Sequence, residues 1–177
     1  MLSFVFKKQF RMKSIPCLLL LSFLTINSFA QKREIVKLLN EALQEELTIQ
    51  DSTHSYGYLI KEVIQPHHII NDSLKVKLRL KYNDKPKETV ITQQVALKDI
   101  TSFGKDINVF FGSDKETVLN TREDYAKNGK DIIIATYNGT IYFAFVYTSQ
   151  NNQALGQKLK RATEKAGYKL RFPYWAN

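Results

Sequence analysis

The chain has 177 residues and carries 26 Lys and Arg against 17 Asp and Glu, a formal net charge of +9. Four of those bases, Lys7, Lys8, Arg11 and Lys13, fall in residues 1–30, which hold no acid; the remaining 22 against 17 leave a net charge of +5, short of the dense basic footprint of a nucleic-acid binder. The single cysteine, Cys17, also lies in that segment, so the rest of the chain forms no disulfide, Fe–S cluster or cysteine-ligated zinc and has no cysteine nucleophile.

Residues 1–30 have the order of an export signal: a basic start, an apolar run from Ile15 to Ile26, then Ser28-Phe29-Ala30 before Gln31. Small residues three and one positions before a junction are the pattern of a cleavage site, which is expected after Ala30. The apolar run contains Ser22 and Thr25 and is shorter than the roughly 20 residues that span a bilayer, so no transmembrane span is expected after cleavage. Cys17 stands at the beginning of the run rather than behind it, which argues against a lipid-anchored protein. Met12-Lys13 is a second acceptable start of such a leader, and the choice between Met1 and Met12 stays open. The expectation is an extracytoplasmic protein, periplasmic or secreted, with residues 31–177 forming one α+β domain.

In residues 31–50, Ile35, Leu39, Ala42, Leu43 and Leu47 recur at spacings of three and four, the stripe of an amphipathic helix. Asp51 to Ser55 is a polar break. Strands are expected across residues 56–148. Tyr56 to Ile64 reads as extended and ended by Pro66. Leu74, Val76, Leu78, Leu80 and Tyr82 alternate with Lys75, Lys77, Arg79 and Lys81, the period-two pattern of a strand with one buried and one wet face. Asn83 to Pro86 is a turn, and Thr89 to Leu97 is a strand interrupted at Gln93-Gln94. Lys98 to Gly104 reads as a connection. Short strands follow at Ile107–Phe111 and Thr117–Asn120, then a polar stretch ending in the turn Asn128-Gly129-Lys130.

Ile132 to Tyr137 and Thr140 to Thr148 flank Asn138-Gly139, the pair favoured at the two positive-φ positions of a hairpin turn. Asn138-Gly139-Thr140 and Asn71-Asp72-Ser73 also match the glycosylation sequon. Residues 153–167 read as the last helix, with Leu155, Leu159, Ala162 and Ala166 on one stripe, cations toward its end and Gly167 just past it. An aromatic tail, Tyr168 to Trp175, reads as a final strand.

Helix, about six or seven strands in antiparallel runs, then helix is an α+β order. From Leu74 to Trp175, through Val95 to Ile100, the Ile132–Thr148 hairpin and the helix Ala154–Ala166, the arrangement resembles the pleckstrin-homology-like split barrel. The resemblance implies a scaffold that binds lipids or peptides rather than a catalyst; the N-terminal helix is additional to that plan. A helix packed on a curved antiparallel sheet, as in cystatin-like folds, is the alternative architecture.

No residue set carries catalytic or metal-binding spacing. His54, His67 and His68 are the only histidines, and neighbouring strand residues point to opposite faces, so His67 and His68 are poorly placed to share a metal. Asp51-Ser52-Thr53-His54 contains the letters of a hydrolytic triad without its geometry, and there is neither a G-x-S-x-G elbow nor a glycine-rich phosphate loop. No cofactor is expected. The one candidate site is the row Lys75, Lys77, Arg79 and Lys81, four cations on one strand face over roughly 20 Å. It is suited to an anionic envelope component: a lipid head group, an acidic glycan or an acidic protein surface. The alternative for the row is a solubilising wet face or a lysine-guarded edge strand. The expected function is a non-enzymatic binding module of the cell envelope; the rival is a small exported hydrolase using a histidine with a nearby Asp or Ser.

Overall fold

The computed structural model describes residues 15–50, 57–85, 87–106, 108–125, 132–147 and 153–175, with the side chains of 15–29, 125 and 172–175 left aside. In chain order the elements are α1 (Ile15–Gln50), β1 (Tyr58–Ile70), β2 (Ser73–Tyr82), β3 (Glu88–Ala96), a single 3-10 turn (Leu97–Asp99), β4 (Ser102–Lys105), β5 (Val109–Gly112), β6 (Val118–Tyr125), β7 (Ile132–Gly139), β8 (Ile141–Phe143), α2 (Gln153–Lys165) and β9 (Arg171–Trp175). The fold is α+β. The described residues form nine strands in two sheets, one ordered β1-β2-β3-β6-β7 and one ordered β8-β5-β4-β9; neither closes into a barrel. All pairings are antiparallel except β4 with β9. Among the described residues no helix is long and apolar enough to cross a membrane.

The core follows from the alternation in β2. Leu74, Val76, Leu78 and Leu80 are all essentially inaccessible and pack with Ile35, Leu39 and Leu43 of α1, Phe103 and Phe111 of the smaller sheet and Leu159 of α2. Each such side chain contributes about 1.5–3 kcal/mol by leaving water. Helix α1 starts at Ile15, upstream of the expected Gln31, and runs without a break to Gln50. Helix α2 ends as its sequence implies. Gly167 has φ +96°, its N–H donates to the Glu164 carbonyl, and the Tyr168 N–H donates to the Thr163 carbonyl, which together make a Schellman cap.

Several local expectations change. Pro66 does not end β1, because β1 is an end strand and Pro66 sits in a bulge between Gln65 and His68, where no ladder hydrogen bond is required of it. Gln93-Gln94 does not interrupt β3, whose register with β2 is continuous. Ser102 to Gly104, read as part of a connection, belong to β4 (Ser102–Lys105), and β6 extends to Tyr125 through residues read as a polar stretch.

The hairpin expected at Asn138-Gly139 does not form: β7 pairs along its whole length with β6, and β8 joins the other sheet beside β5. Gly139 is the last residue of β7, not a left-handed turn residue, and a Cβ there would stand 3.3 Å from Asn120 Nδ2. The tight two-residue hairpin is instead Asn71-Asp72, with φ +49° and +57°, joining the Ile70–Ser73 pair as a primed turn requires. His54, the polar break at 51–55 and the turn at 128–130 lie outside the described residues.

Candidate functional site

The inner face of the larger sheet changes character from one side to the other. At one level the register aligns Val76, Gln93, Asn120 and Tyr137 across β2, β3, β6 and β7, with exposures of 1%, 3%, 6% and 57%. At the next level it aligns Leu78, Ile91, Arg122 and Ala135. Leucine and valine under α1 and the smaller sheet thus give way to carboxamides, a guanidinium and an open aromatic ring. The uncovered part of this face is a cleft of about 640 Å³. Tyr82, Arg122 and Tyr137 line it from the larger sheet; Phe110, Ile141 and Phe143 line it from the smaller one. That volume lies within the roughly 300–1,000 Å³ of small-molecule sites.

The two walls are tied by Gln93. The Phe143 backbone N–H donates to its Oε1 at 3.0 Å, and its Nε2 donates to Asn120 Oδ1 at 2.5 Å; Asn120 Nδ2 donates to the Val118 carbonyl at 3.1 Å. A third wall is the segment Ala144 to Tyr147. The Val146 N–H donates to Asn108 Oδ1 at 3.0 Å and the Tyr147 N–H to Glu46 Oε2 at 2.9 Å. Just before them Phe145 has φ +55°, a conformation that costs a bulky residue about 1–3 kcal/mol and persists only where its surroundings impose it. Tyr58 braces this wall, with ring centroids 6.2 Å from Phe145, 5.3 Å from Tyr147 and 5.6 Å from Tyr82.

Arg122 is the only cation among the cleft's described lining residues. Its Nε donates to Asp124 Oδ2 at 2.5 Å, Asp124 Oδ1 accepts from Thr89 Oγ1 at 2.5 Å, and its guanidinium carbon lies 5.2 Å from the Tyr82 ring centroid. Arg122 Nη2 is buried and makes no hydrogen bond, an orphan donor of the kind that costs about 1–3 kcal/mol. Burial raises the Tyr82 phenol above its ordinary range, and the nearby Arg122 charge moderates the rise. Behind the third wall, Glu46 and Lys105 are both buried; desolvation lowers Lys105, and the Glu46 carboxylate opposes that shift.

The row Lys75, Lys77, Arg79 and Lys81 lies on the outer face of β2, which is an interior strand of its sheet; the edge-guard reading therefore does not apply. Lys77 pairs with Glu123 at 3.0 Å, and Arg79 pairs with Glu62 at 2.8 Å and Glu88 at 3.8 Å. Lys81 Nζ donates to the Lys85 carbonyl at 2.7 Å. Among the described residues Lys75 makes no ion pair. Among the described residues, Glu62, Glu88 and Glu123 thus stand beside this row and offset part of its charge.

The described histidines do not converge. His67 is buried: its backbone N–H and carbonyl are taken by the Asn40 carboxamide at 2.8 and 2.9 Å, which satisfies the groups that the bulge withdraws from β2. Its Nε2 faces the Ala144 carbonyl at 3.1 Å and must carry the proton, so Nδ1 accepts from the Tyr142 hydroxyl at 2.9 Å. Desolvation lowers its pKa to about 4, so the ring is neutral at pH 7. His68 bonds the Pro66 carbonyl at 2.8 Å and borders a second recess of about 530 Å³ with Lys32, Lys37 and Asp72. There the Asp72 hydrogen bond raises the Lys32 ammonium and closes to 2.6 Å. No group of three or more metal-ligating side chains forms among the described residues.

Comparison with protein-family models, curated proteins and solved structures returned no match.

Sequence reasoning missed Gln93, Asn120, Arg122 and Tyr137. Their signal was present as period two: Asn120, Arg122 and Asp124 alternate, as do Ile133, Ala135 and Tyr137. Polar residues at inward positions read as strand ends until the register is known.

Proposed function

We propose that the protein is an exported, non-enzymatic binding module of the cell envelope that takes a small ligand in the cleft between its two sheets. The observation that carries this reading is the change along the inner face from Val76 and Leu78 to Tyr137 and Arg122: aromatic and polar side chains line a concavity where continued core would have been apolar and closed. Such a mostly apolar concavity with a few placed polar groups is the usual form of a ligand site. Of its two charged lining residues among those described, Arg122 is held by Asp124, which also accepts from Thr89, and Asp106 is the other; an engaged guanidinium and one carboxylate are not an acid and a base set around an open centre. Export is supported by the order of charge, apolar run and small residues in 1–30.

Two measurements test the two halves of the proposal. Mass spectrometry of the protein recovered from its native envelope is expected to find Gln31 at the N-terminus; an intact leader overturns export. A chemically mixed fragment library titrated into the isotope-labelled protein is expected to shift the backbone amides of Asn120, Arg122, Tyr137 and Phe143. Shifts confined to other surfaces, or none, overturn the cleft as a binding site.

A further inference from the structure

Resting on that reading of the cleft, we propose that its ligand is an uncharged saccharide of one to a few rings. Three properties of the walls lead there.

The first is charge. Asp106 and Arg122 are the two charged residues among the described lining, and they carry opposite signs. Arg122 already holds the Asp124 carboxylate on its Nε. An anion entering the cleft meets a guanidinium that is half neutralised and a second carboxylate nearby, so its attraction is weak. A neutral molecule avoids that repulsion and the larger cost of stripping water from a charge.

The second is the polarity of the unspent groups. Gln93 Oε1, Asn120 Oδ1 and Asn108 Oδ1 each already accept a hydrogen bond from the protein. The other polar lining groups include the amide nitrogen of Asn108 and the hydroxyls of Tyr58, Tyr82 and Tyr137; Arg122 Nη2 has no partner but is itself buried, so a ligand reaches it only if that side chain moves. Such mixed donors and acceptors call for a ligand dense in oxygens that can both accept and donate. Sugar hydroxyl, ring and glycosidic oxygens supply them, and sugar hydroxyls can in turn donate to Asp106.

The third is shape at the mouth. Tyr137 and Phe143 are 57% and 39% exposed, on opposite walls of a mostly apolar cleft that carries a few hydrogen-bonding groups. An aromatic face is electron-rich and the C–H face of a pyranose is electron-poor, so a flat sugar ring covers such a surface while its equatorial oxygens reach the donors below. A ligand that is apolar on its faces and polar around its rim matches these walls; a purely apolar ligand leaves the donors unpaired, and a small polar one leaves the rings wet.

The test is a titration of the full labelled chain with maltose, cellobiose and N,N′-diacetylchitobiose, alongside digalacturonate and the dipeptide Gly-Phe. At least one of the three neutral disaccharides is expected to shift the amides of Asn120, Tyr137 and Phe143 saturably, with an affinity on the order of millimolar. Tyr137→Ala, an exposed change, is expected to weaken that binding about tenfold, and Asp106→Asn to weaken it less. Digalacturonate or Gly-Phe binding as tightly as the best neutral sugar overturns the uncharged-saccharide assignment, as does binding unaffected by both substitutions. If no sugar moves the cleft amides while library fragments still do, the saccharide assignment fails and the binding site stands. If neither sugar nor fragment moves them, both fail.

Discussion

The two sides of the five-stranded sheet are built from the same alternation and treated in opposite ways. On the β1 side the edge is covered. The Asn40 carboxamide takes the backbone of His67, and the Gln50 carboxamide takes the N–H and carbonyl of Ile60 at 2.9 and 2.6 Å, so two side chains of α1 act in place of a neighbouring strand. Pro66 and three shifts of register further disrupt that edge. On the β7 side eight residues pair in unbroken register with β6, no charge occurs from Ile132 to Phe143, and Ile132, Ile133 and Ile134 are all more than half exposed. Burial of the inner face follows the same gradient. Stability resides where the helix lies, and the cleft occupies what the helix and the smaller sheet leave uncovered.

The contrast is broken most directly at Leu78, which shares a level of the sheet with Arg122 and Ala135. Leu78→Ala is expected to cost about 2–5 kcal/mol through lost burial and the cavity left behind. Chemical denaturation measures it, and a loss below about 1 kcal/mol shows that the covered side is not where stability is concentrated.

The next effect is one of pH. His67 is held near pKa 4 when folded against an ordinary 6.5, so the unfolded chain binds the extra proton between those values. Its contribution to stability is therefore intact above about pH 6.5 and is lost as the pH falls toward 4, by up to about 3 kcal/mol. His67→Gln should flatten that part of the stability–pH profile. An unchanged slope in the variant means that other groups account for the acid sensitivity.

Gln93 joins the two sides, and Gln93→Leu sharpens the comparison. It leaves the Phe143 N–H without its acceptor, at a cost of about 1–3 kcal/mol. Hydrogen exchange should quicken at Phe143 more than at Leu78; equal changes at both positions argue that Gln93 supports the core as a whole rather than the cleft wall.

The smallest stability effect belongs to Tyr137→Ala, expected within about 0.5 kcal/mol because the ring is a surface group. Its thermal midpoint should match wild type even though ligand binding in the cleft weakens. A large fall in the midpoint instead places Tyr137 in the structural core.

Much of the architecture was legible because it rests on local rules. The stripe from Ile35 to Leu47, the alternation from Leu74 to Tyr82 and the C-cap at Gly167 each read correctly, since period, burial and capping are properties of neighbouring residues. Asn138-Gly139 misled for the same reason: the pair is locally suited to a turn, but β7 gains a full ladder against β6, and β8 gains another beside β5. At Asn71-Asp72 the same turn chemistry appears where the flanking β1 and β2 can pair. Gln93-Gln94 looked like an interruption because a glutamine facing inward has no explanation until Phe143 and Asn120 are brought to it.

From its sequence alone this chain determined an α+β composition of elements, the leucine face of β2, the helix stripes and the cap that ends α2, because each depends on residues a few positions apart. Tertiary structure decided which strands neighbour one another, how far α1 covers the sheet, and that Gln93, Asn120, Arg122 and Tyr137 meet in one cleft. Those residues are separated by up to forty-four positions in the chain, and only the register of β3, β6 and β7 sets them side by side. The cation row illustrates the same limit: its spacing was plain in the sequence, but its partial neutralisation by Glu62, Glu88 and Glu123 required the strands on either side.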